Sequence, residues 1–439
     1  TSMAPRPEAH RTGVKSPSTA SSWAGGPAGS PLDAMGMKSF ERNGVDLADG
    51  HRITKRSLIA AIPDYCFTRP VLKSYFFIAR DALFAAITAG VTAKVLLPTA
   101  YALSAVLPPA LAWVFPTLVW VAYAVAQGTV LTGLWVIGHE CGHQSFSPWT
   151  VVNDATGFVI HTALLVPYWS WKLSHAKHHK YTNHTTSGET HVPNLATEVV
   201  GFRKLASSLG EDAFSALNVF QHLVFGWPAY LVANATGGRE TYDKVPLTEA
   251  KAGCLSMTHF VGTGSQLYEP KFHMKIWASG AGVIAMIGGL VKAAQTYGAA
   301  PVLLWYVAPY TVVNMWLVLY TWLQHCHEDI PHLGEDSFTW IRGALSTVDR
   351  PYPWPVDQLH HHIGTTHVLH HLFSRIPHYH AEAASKAMQA ELREAYRYDP
   401  TPIVVATFQT ATKCIYIDDT DGVQYFKDAS GCASRVHVE

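Results

Sequence analysis

Three histidine clusters dominate the chemistry this chain could perform. His139-Glu140-Cys141-Gly142-His143 places two imidazoles four residues apart. His175-Ala176-Lys177-His178-His179 places three at i, i+3 and i+4, and His367-Val368-Leu369-His370-His371 repeats that spacing far downstream. Residues three and four apart on a helix lie on one side, so each cluster can aim its rings at a common point. Imidazole suits zinc, copper, iron and nickel, so metal ligation is the first chemistry to consider.

The first cluster also reads as H-E-x-x-H, in which two histidines hold zinc and the glutamate is the general base of a metalloprotease. Taken alone it leaves both readings open. Taken with the other two clusters it does not, because eight imidazoles exceed what one four-coordinate zinc can use. They suit two iron atoms with several nitrogen ligands each and room for oxygen. A protease would leave six of those histidines without a role. Isolated histidines are most often ordinary core or surface residues, and His10, His51, His161, His222, His259, His273 and His437 are assigned to that class.

The elements between the clusters must bring them together. No Asp, Glu, Lys or Arg occurs from Val95 to Gly138, and Leu111 to Ile137 alone exceeds the roughly 20 residues that span a hydrocarbon core. Tyr75 to Leu97 forms a span before it, with Arg80, Asp81 and Lys94 expected toward its ends. Pro98, Pro108 and Pro109 are expected to break these two spans into a hairpin. A second hairpin is expected at Ile276 to Ala294 and Val302 to Leu323, turning at Tyr297 to Pro301. Gly157 to Trp169 and Val219 to Ala235 are short or Pro-interrupted, which reads as interfacial or re-entrant. Two hairpins leave all three clusters on one face, as a single site requires.

The expected fold is therefore an all-α integral membrane protein, with four transmembrane helices as two hairpins and a cytosolic helical cap carrying a histidine-ligated di-metal site. Composition agrees: of 439 residues, 48% are hydrophobic and 15% charged, against about 25% charged in soluble domains. Lys plus Arg equals Asp plus Glu at 32 each, which excludes the basic face of a nucleic-acid binder. Six cysteines without a CxxC pair indicate neither thiolate zinc nor a disulfide framework. Residues 1–55, rich in Ser, Gly and Pro at their start, read as a disordered tail or a transit peptide; 56–428 form the domain and 429–439 a second tail.

These clusters and their surroundings resemble the membrane fatty acid desaturases, most closely the Δ12 (oleate) acyl-lipid branch of the endoplasmic reticulum. The likeness runs from about Arg56 to about Asp428. It includes the stretch from Gly138 to Ser147, that from Trp171 to His179, Gly226-Trp227-Pro228, Leu323-Gln324-His325, the stretch from Arg342 to Arg350, and that from His367 to Phe373 followed by Ile376-Pro377-His378-Tyr379-His380.

The resemblance implies that His139, His143, His175, His178, His179, His367, His370 and His371 ligate two non-haem irons. It also implies a further histidine after the last span, for which His325 is the candidate and His361 or His362 the fallback. It implies O2 as co-substrate and a cis double bond placed at Δ12 of oleoyl chains on a phospholipid. Neither a C-x-x-C-H haem motif nor a G-x-G-x-x-G fingerprint appears, so electrons are expected from cytochrome b5 and its NADH reductase. Glu140 is usual in the Δ12 branch where the ω-3 branch shows Asp. The residues Lys180 to Pro193, including His184 and His191, depart from the plant pattern and leave regiochemistry open. The ω-3 (Δ15) desaturase, fatty acyl hydroxylase or conjugase and zinc protease readings stay as alternatives, and the expected location is the endoplasmic reticulum membrane rather than a plastid, with both termini cytosolic.

Overall fold

The computed structural model describes residues 44–249, 253 and 255–433. It is helical almost throughout. A short hairpin, β1 (Val45–Asp46) with β2 (Arg52–Ile53), leads into α1 (Lys55–Ala61), capped by Thr54 and Ser57 in reciprocal hydrogen bonds. The expected tail therefore ends earlier than residue 55: Ile53 and Leu58 are wholly buried against Met388 and Leu392, so residues 45–53 belong to the folded body. Residues 1–43 and 434–439, where the rest of the two tails falls, lie outside the described residues.

Then come α2 (Val71–Val91), α3 (Leu97–Ser104), α4 (Val114–Gly142), α5 (Thr150–Ala163) and α6 (Tyr168–Lys180). Strand β3 (Asn194–Leu195), α7 (Val200–Leu209) and α8 (Glu211–Ala233) precede α9 (His273–Tyr297), α10 (Ala299–Val302) and α11 (Ala308–Leu323). The remainder is β4 (His332–Leu333), α12 (Trp340–Ala344), α13 (Trp354–Leu359), α14 (His367–Leu372), α15 (His378–Leu392), α16 (Ile403–Lys413), β5 (Tyr416–Ile417) and β6 (Val423–Gln424). Parallel β3–β5 and antiparallel β4–β6 pairs fasten the C-terminal segment to the cap.

Among the described residues, four helical stretches are long and apolar enough to cross a membrane: Val71–Ser104, Pro109–Gly142, Pro270–Tyr297 and Ala299–Leu323. These match the four expected spans. Pro98 does not end the first one. A π-turn over Thr92–Leu96, closed by the Leu97 N–H on the Thr92 carbonyl, makes room for the proline ring, and the helix continues to Ser104. The same device, a π-turn over Leu303–Val307, precedes Pro309 in the fourth.

Arg80 and Asp81 are not near the ends of their span, as expected from hydropathy, but within α2, where Asp81 is 1% exposed and bonded to Arg80 and His361. A buried charge is tolerated there because partners from elsewhere in the chain satisfy it.

Packing places the clusters. The 29 residues of α4 rise roughly 43 Å at 1.5 Å each, more than a hydrocarbon core of about 30 Å, and His139 stands in its last turn. α4 packs against α2, α5 and α11. One buried core joins α4, α6, α8 and α11 through Trp135, Trp171, Trp227 and Trp322. A second joins α1, α14 and α15, and takes Val368, Leu369 and Leu372 from the face of α14 opposite its histidines. The histidine clusters lie where these two cores meet.

Candidate metal centre

Nine imidazoles converge in the cap, in two groups. The first contains His139, His143, His175, His179 and His370; the second contains His178, His325 and His371. His367 joins the second, with its Nε2 3.0 Å from that of His325 and 3.1 Å from that of His371. The structure thus brings together all eight cluster histidines and His325.

Helical geometry explains the sorting. At about 100° per residue, positions i+3 and i+4 flare to opposite sides of position i. Each i, i+4 pair stays together: His139 with His143, His175 with His179, His367 with His371. Each middle residue crosses over, His178 to the second group and His370 to the first. The groups adjoin where His179 and His371 stack with ring centroids 4.2 Å apart.

Within the first group Nε2 of His139 lies 2.8 Å from that of His175 and 3.2 Å from that of His143, and His179 lies 3.2 Å from His175. Within the second, His178 lies 3.2 Å from His325. Two anchors fix the ring proton. His178 donates Nδ1–H to the Glu189 carbonyl at 2.7 Å, leaving Nε2 as a bare lone pair. The Thr182 hydroxyl donates to the His178 carbonyl and so accepts from Nδ1–H of His371, which bares that Nε2 as well. Lone pairs facing one another at 3 Å repel unless a cation lies among them. With metal–nitrogen bonds of about 2.0–2.1 Å, tetrahedral ligands sit about 3.4 Å apart and right-angled ones about 2.9 Å. The observed 2.8–3.2 Å is close to the separation of nitrogens that share one metal.

Electrostatics agree. Burial, followed by mutual repulsion between the rings, holds His143, His175, His179, His325, His370 and His371 well below the ordinary imidazole range. Burial lowers His178 to about 4 and His367 to about 3. All are neutral at pH 7, the form that binds metal. Trp171 stacks on His175 with centroids 4.8 Å apart and Trp135 on His139 at 5.6 Å, fixing the ring planes.

The fallback ligands do not reach either group. His361 bonds Asp81 at 2.7 Å, and His362 bonds Asp357 at 2.8 Å. Glu140, the protease general base in the alternative reading, turns away: both its carboxylate oxygens accept the His378 N–H at 3.1 Å. A group of five imidazoles with its glutamate engaged elsewhere does not match that chemistry. His161 is a core residue, stacked on Trp135 with Nε2 3.3 Å from its carbonyl oxygen.

Spacing signalled only one of the residues that steady these histidines. Thr182, the Glu189 carbonyl and Asp349, whose carboxylate accepts the Val368 N–H at 2.8 Å and whose pKa burial pushes up to about 7, act across the fold. For Thr182 alone the position, four residues beyond His178, was a signal.

The sequence model of the fatty acid desaturase family matches residues 116–402, a stretch that contains all nine histidines. The chain belongs to the fatty acid desaturase family. It is 37% identical over 406 residues to a Delta(12) fatty acid desaturase of Mortierella alpina, covering 89% of this chain and 93% of that protein. It is 38% identical over 358 residues to the omega-6 fatty acid desaturase, endoplasmic reticulum isozyme 2, of Glycine max, covering 82% and 86%. It is also 35% identical over 373 residues to an oleoyl-12-hydroxylase of Ricinus communis, covering 84% and 88%. In this desaturase the two histidine groups are the candidate metal centre.

Proposed function

We propose that this desaturase is an O2-dependent, di-iron enzyme that inserts a cis double bond at Δ12 of oleoyl chains to give linoleoyl chains. The observation that carries the reaction class is the pair of adjoining imidazole groups, five rings and four, in a chain of this family. His139, His143, His175, His179 and His370 would hold one iron, and His178, His325, His367 and His371 the other. When bound, iron would supply the O2-derived oxidant needed to take hydrogen from unactivated methylenes, which no side-chain base can do.

The residues of the chain do the rest. The neutral rings bind and orient the ions, and the Glu189 carbonyl and Thr182 hydroxyl keep the Nδ1 protons of His178 and His371 away from them. Trp135 and Trp171, both buried, stack on His139 and His175 and shield that side of the first group from water. Electrons come from a separate carrier, cytochrome b5 with its NADH reductase, and the substrate is an oleoyl chain carried on a phospholipid. The location that fits is the endoplasmic reticulum membrane, with the centre and both termini on the cytosolic side.

The Δ12 position rests on similarity to relatives named for that reaction. The hydroxylase reading has one observation in its favour, the 35% identity to the Ricinus communis protein, which nearly equals that of the desaturases. Expression in a yeast that makes only monoenes tests both. Linoleate formed from oleate, with little triene from fed linoleate, is the expected result. Trienes from linoleate with oleate untouched would replace the reading with an ω-3 desaturase, and dominant hydroxylated chains with a hydroxylase.

A further inference from the structure

The third histidine cluster sits in a segment that closes on itself. His361 lies six residues before His367 and His378 seven beyond His371, yet their rings touch, with centroids 4.2 Å apart. Phe77 of α2 packs edge-on against both, at 5.7 and 4.4 Å. The backbone reaches this position through two left-handed residues, His361 at φ 56° and His362 at φ 62°. Such conformations persist only where surrounding contacts hold them.

Each end of the segment is tied to a buried carboxylate of the first hairpin. On the entry side, Asp81 Oδ2 lies 2.7 Å from His361 Nε2. Arg80 bonds the other carboxylate oxygen and places Nη2 3.4 Å from His361 Nδ1. A guanidinium only donates, so Nδ1 accepts and His361 donates Nε2–H to Asp81. His360 reinforces this side, with Nε2 2.8 Å from the Thr129 carbonyl on α4 and Nδ1 2.7 Å from the Tyr320 hydroxyl on α11. The fit is close: a Cβ on Gly133 would stand 2.3 Å from the Leu359 carbonyl oxygen. On the exit side, Glu140 accepts the His378 N–H with both oxygens at the first turn of α15.

We infer that Asp81 and Glu140 are positioning residues that pin the closed 361–378 segment to the first hairpin, and so set where His370 meets one histidine group and His367 and His371 meet the other. This rests on reading the nine imidazoles as iron ligands. Neither carboxylate belongs to a group itself: Asp81 is engaged by Arg80 and His361, Glu140 by His378. Glu140 is the residue next to His139 in the chain, so a shift of the exit clamp moves the first group directly.

The bond at Glu140 can be removed from either partner. His378 is the first residue of α15, and Pro377 before it has φ −65° and ψ 149°. A proline is compatible with the first helical position, and its predecessor already has the extended conformation that proline demands. His378→Pro therefore deletes the N–H that Glu140 accepts, whereas His378→Ala deletes only the ring. Iron content, Mössbauer spectrum, turnover and KM would be measured on purified holoprotein for Glu140→Ala, Glu140→Gln, His378→Pro, His378→Ala and Asp81→Asn.

The expected pattern is two irons per chain in every variant, with an altered Mössbauer spectrum and turnover lowered about ten-fold or more in Glu140→Ala, His378→Pro and Asp81→Asn at nearly constant KM. Glu140→Gln keeps the one acceptor oxygen its single donor needs, unlike Asp81→Asn, whose two oxygens serve separate donors; it and His378→Ala should stay within about three-fold of the parent. A wild-type spectrum and turnover in Glu140→Ala and His378→Pro would overturn the inference. So would loss of one iron in Glu140→Ala, which would make Glu140 a ligand, or Glu140→Gln as inactive as Glu140→Ala, which would make its charge chemical. If Glu140→Ala does not fold, the contrast between His378→Pro and His378→Ala decides. Wild-type protein without two irons would instead refute the underlying assignment.

Discussion

Nε2 of His325 lies 3.2 Å from Nε2 of His178, although 147 residues separate them in the chain. The second cluster reaches this meeting point on α6, and His325 reaches it two residues past the end of α11, which closes the last membrane-length stretch. The second histidine group would have three members without His325, whereas the first has five.

His325→Ala should therefore lower iron from about two to about one per chain and remove product, while the protein still inserts in the membrane. His361→Ala and His362→Ala, whose rings bond Asp81 and Asp357 instead, should keep both irons. Elemental analysis of the purified variants checks this. Two irons in His325→Ala would return the ninth ligand to another residue.

Thr182 orients His371, one of the candidate ligands, from outside the imidazole group. Its hydroxyl donates to the His178 carbonyl at 2.9 Å and lies 3.1 Å from Nδ1 of His371. Thr182→Val keeps the shape and strands that nitrogen, which should weaken metal retention about 10–100-fold, as loss of such partners generally does. Thr182→Ser should restore it. Competition with a chelator measures the effect, and identical retention in the valine and serine variants would dismiss it.

Acid should destabilise the metal-free protein. The unfolded chain binds protons on its imidazoles below about pH 6.5, while burial keeps the folded rings of His143, His175, His179, His325, His370 and His371 from doing so. Their folded values are depressed, so unfolding takes up protons and stability falls as pH drops below the unfolded value, by up to about 1.4 kcal/mol per ring per pH unit. Thermal melting of chelator-treated protein in detergent should show a lower midpoint at pH 5.5 than at pH 7.5. An unchanged midpoint would mean that these rings titrate normally.

The two-hairpin arrangement predicts which sites a glycosylation tag can use in microsomes. Tags near residue 20 and residue 430 should remain unmodified on the cytosolic side, and a tag in the turn between Ser104 and Pro109 should be modified. Modification at either terminus would break the arrangement.

The sequence alone determined the three histidine clusters, the four apolar stretches and the even number of spans between the second and third clusters. Those depend on residue identity, local periodicity and length, which are properties of short windows of chain. The family resemblance pointed to His325, through its place after the last span. Other features depended on what packs opposite. The i, i+3, i+4 spacing puts rings on one side of a helix, but it does not say that His178 and His370 would cross between groups, because that is set by the angle at which α4, α6 and α14 meet. Hydropathy sent Arg80 and Asp81 toward a span end, since the partner that allows Asp81 to be buried, His361, lies 280 residues away. Glu140 looked like a protease base or a branch marker; only the arrival of α15 gave its carboxylate the His378 N–H. Long-range hydrogen bonds between buried polar groups leave no periodic trace in sequence, and here they decide how the two histidine groups are held.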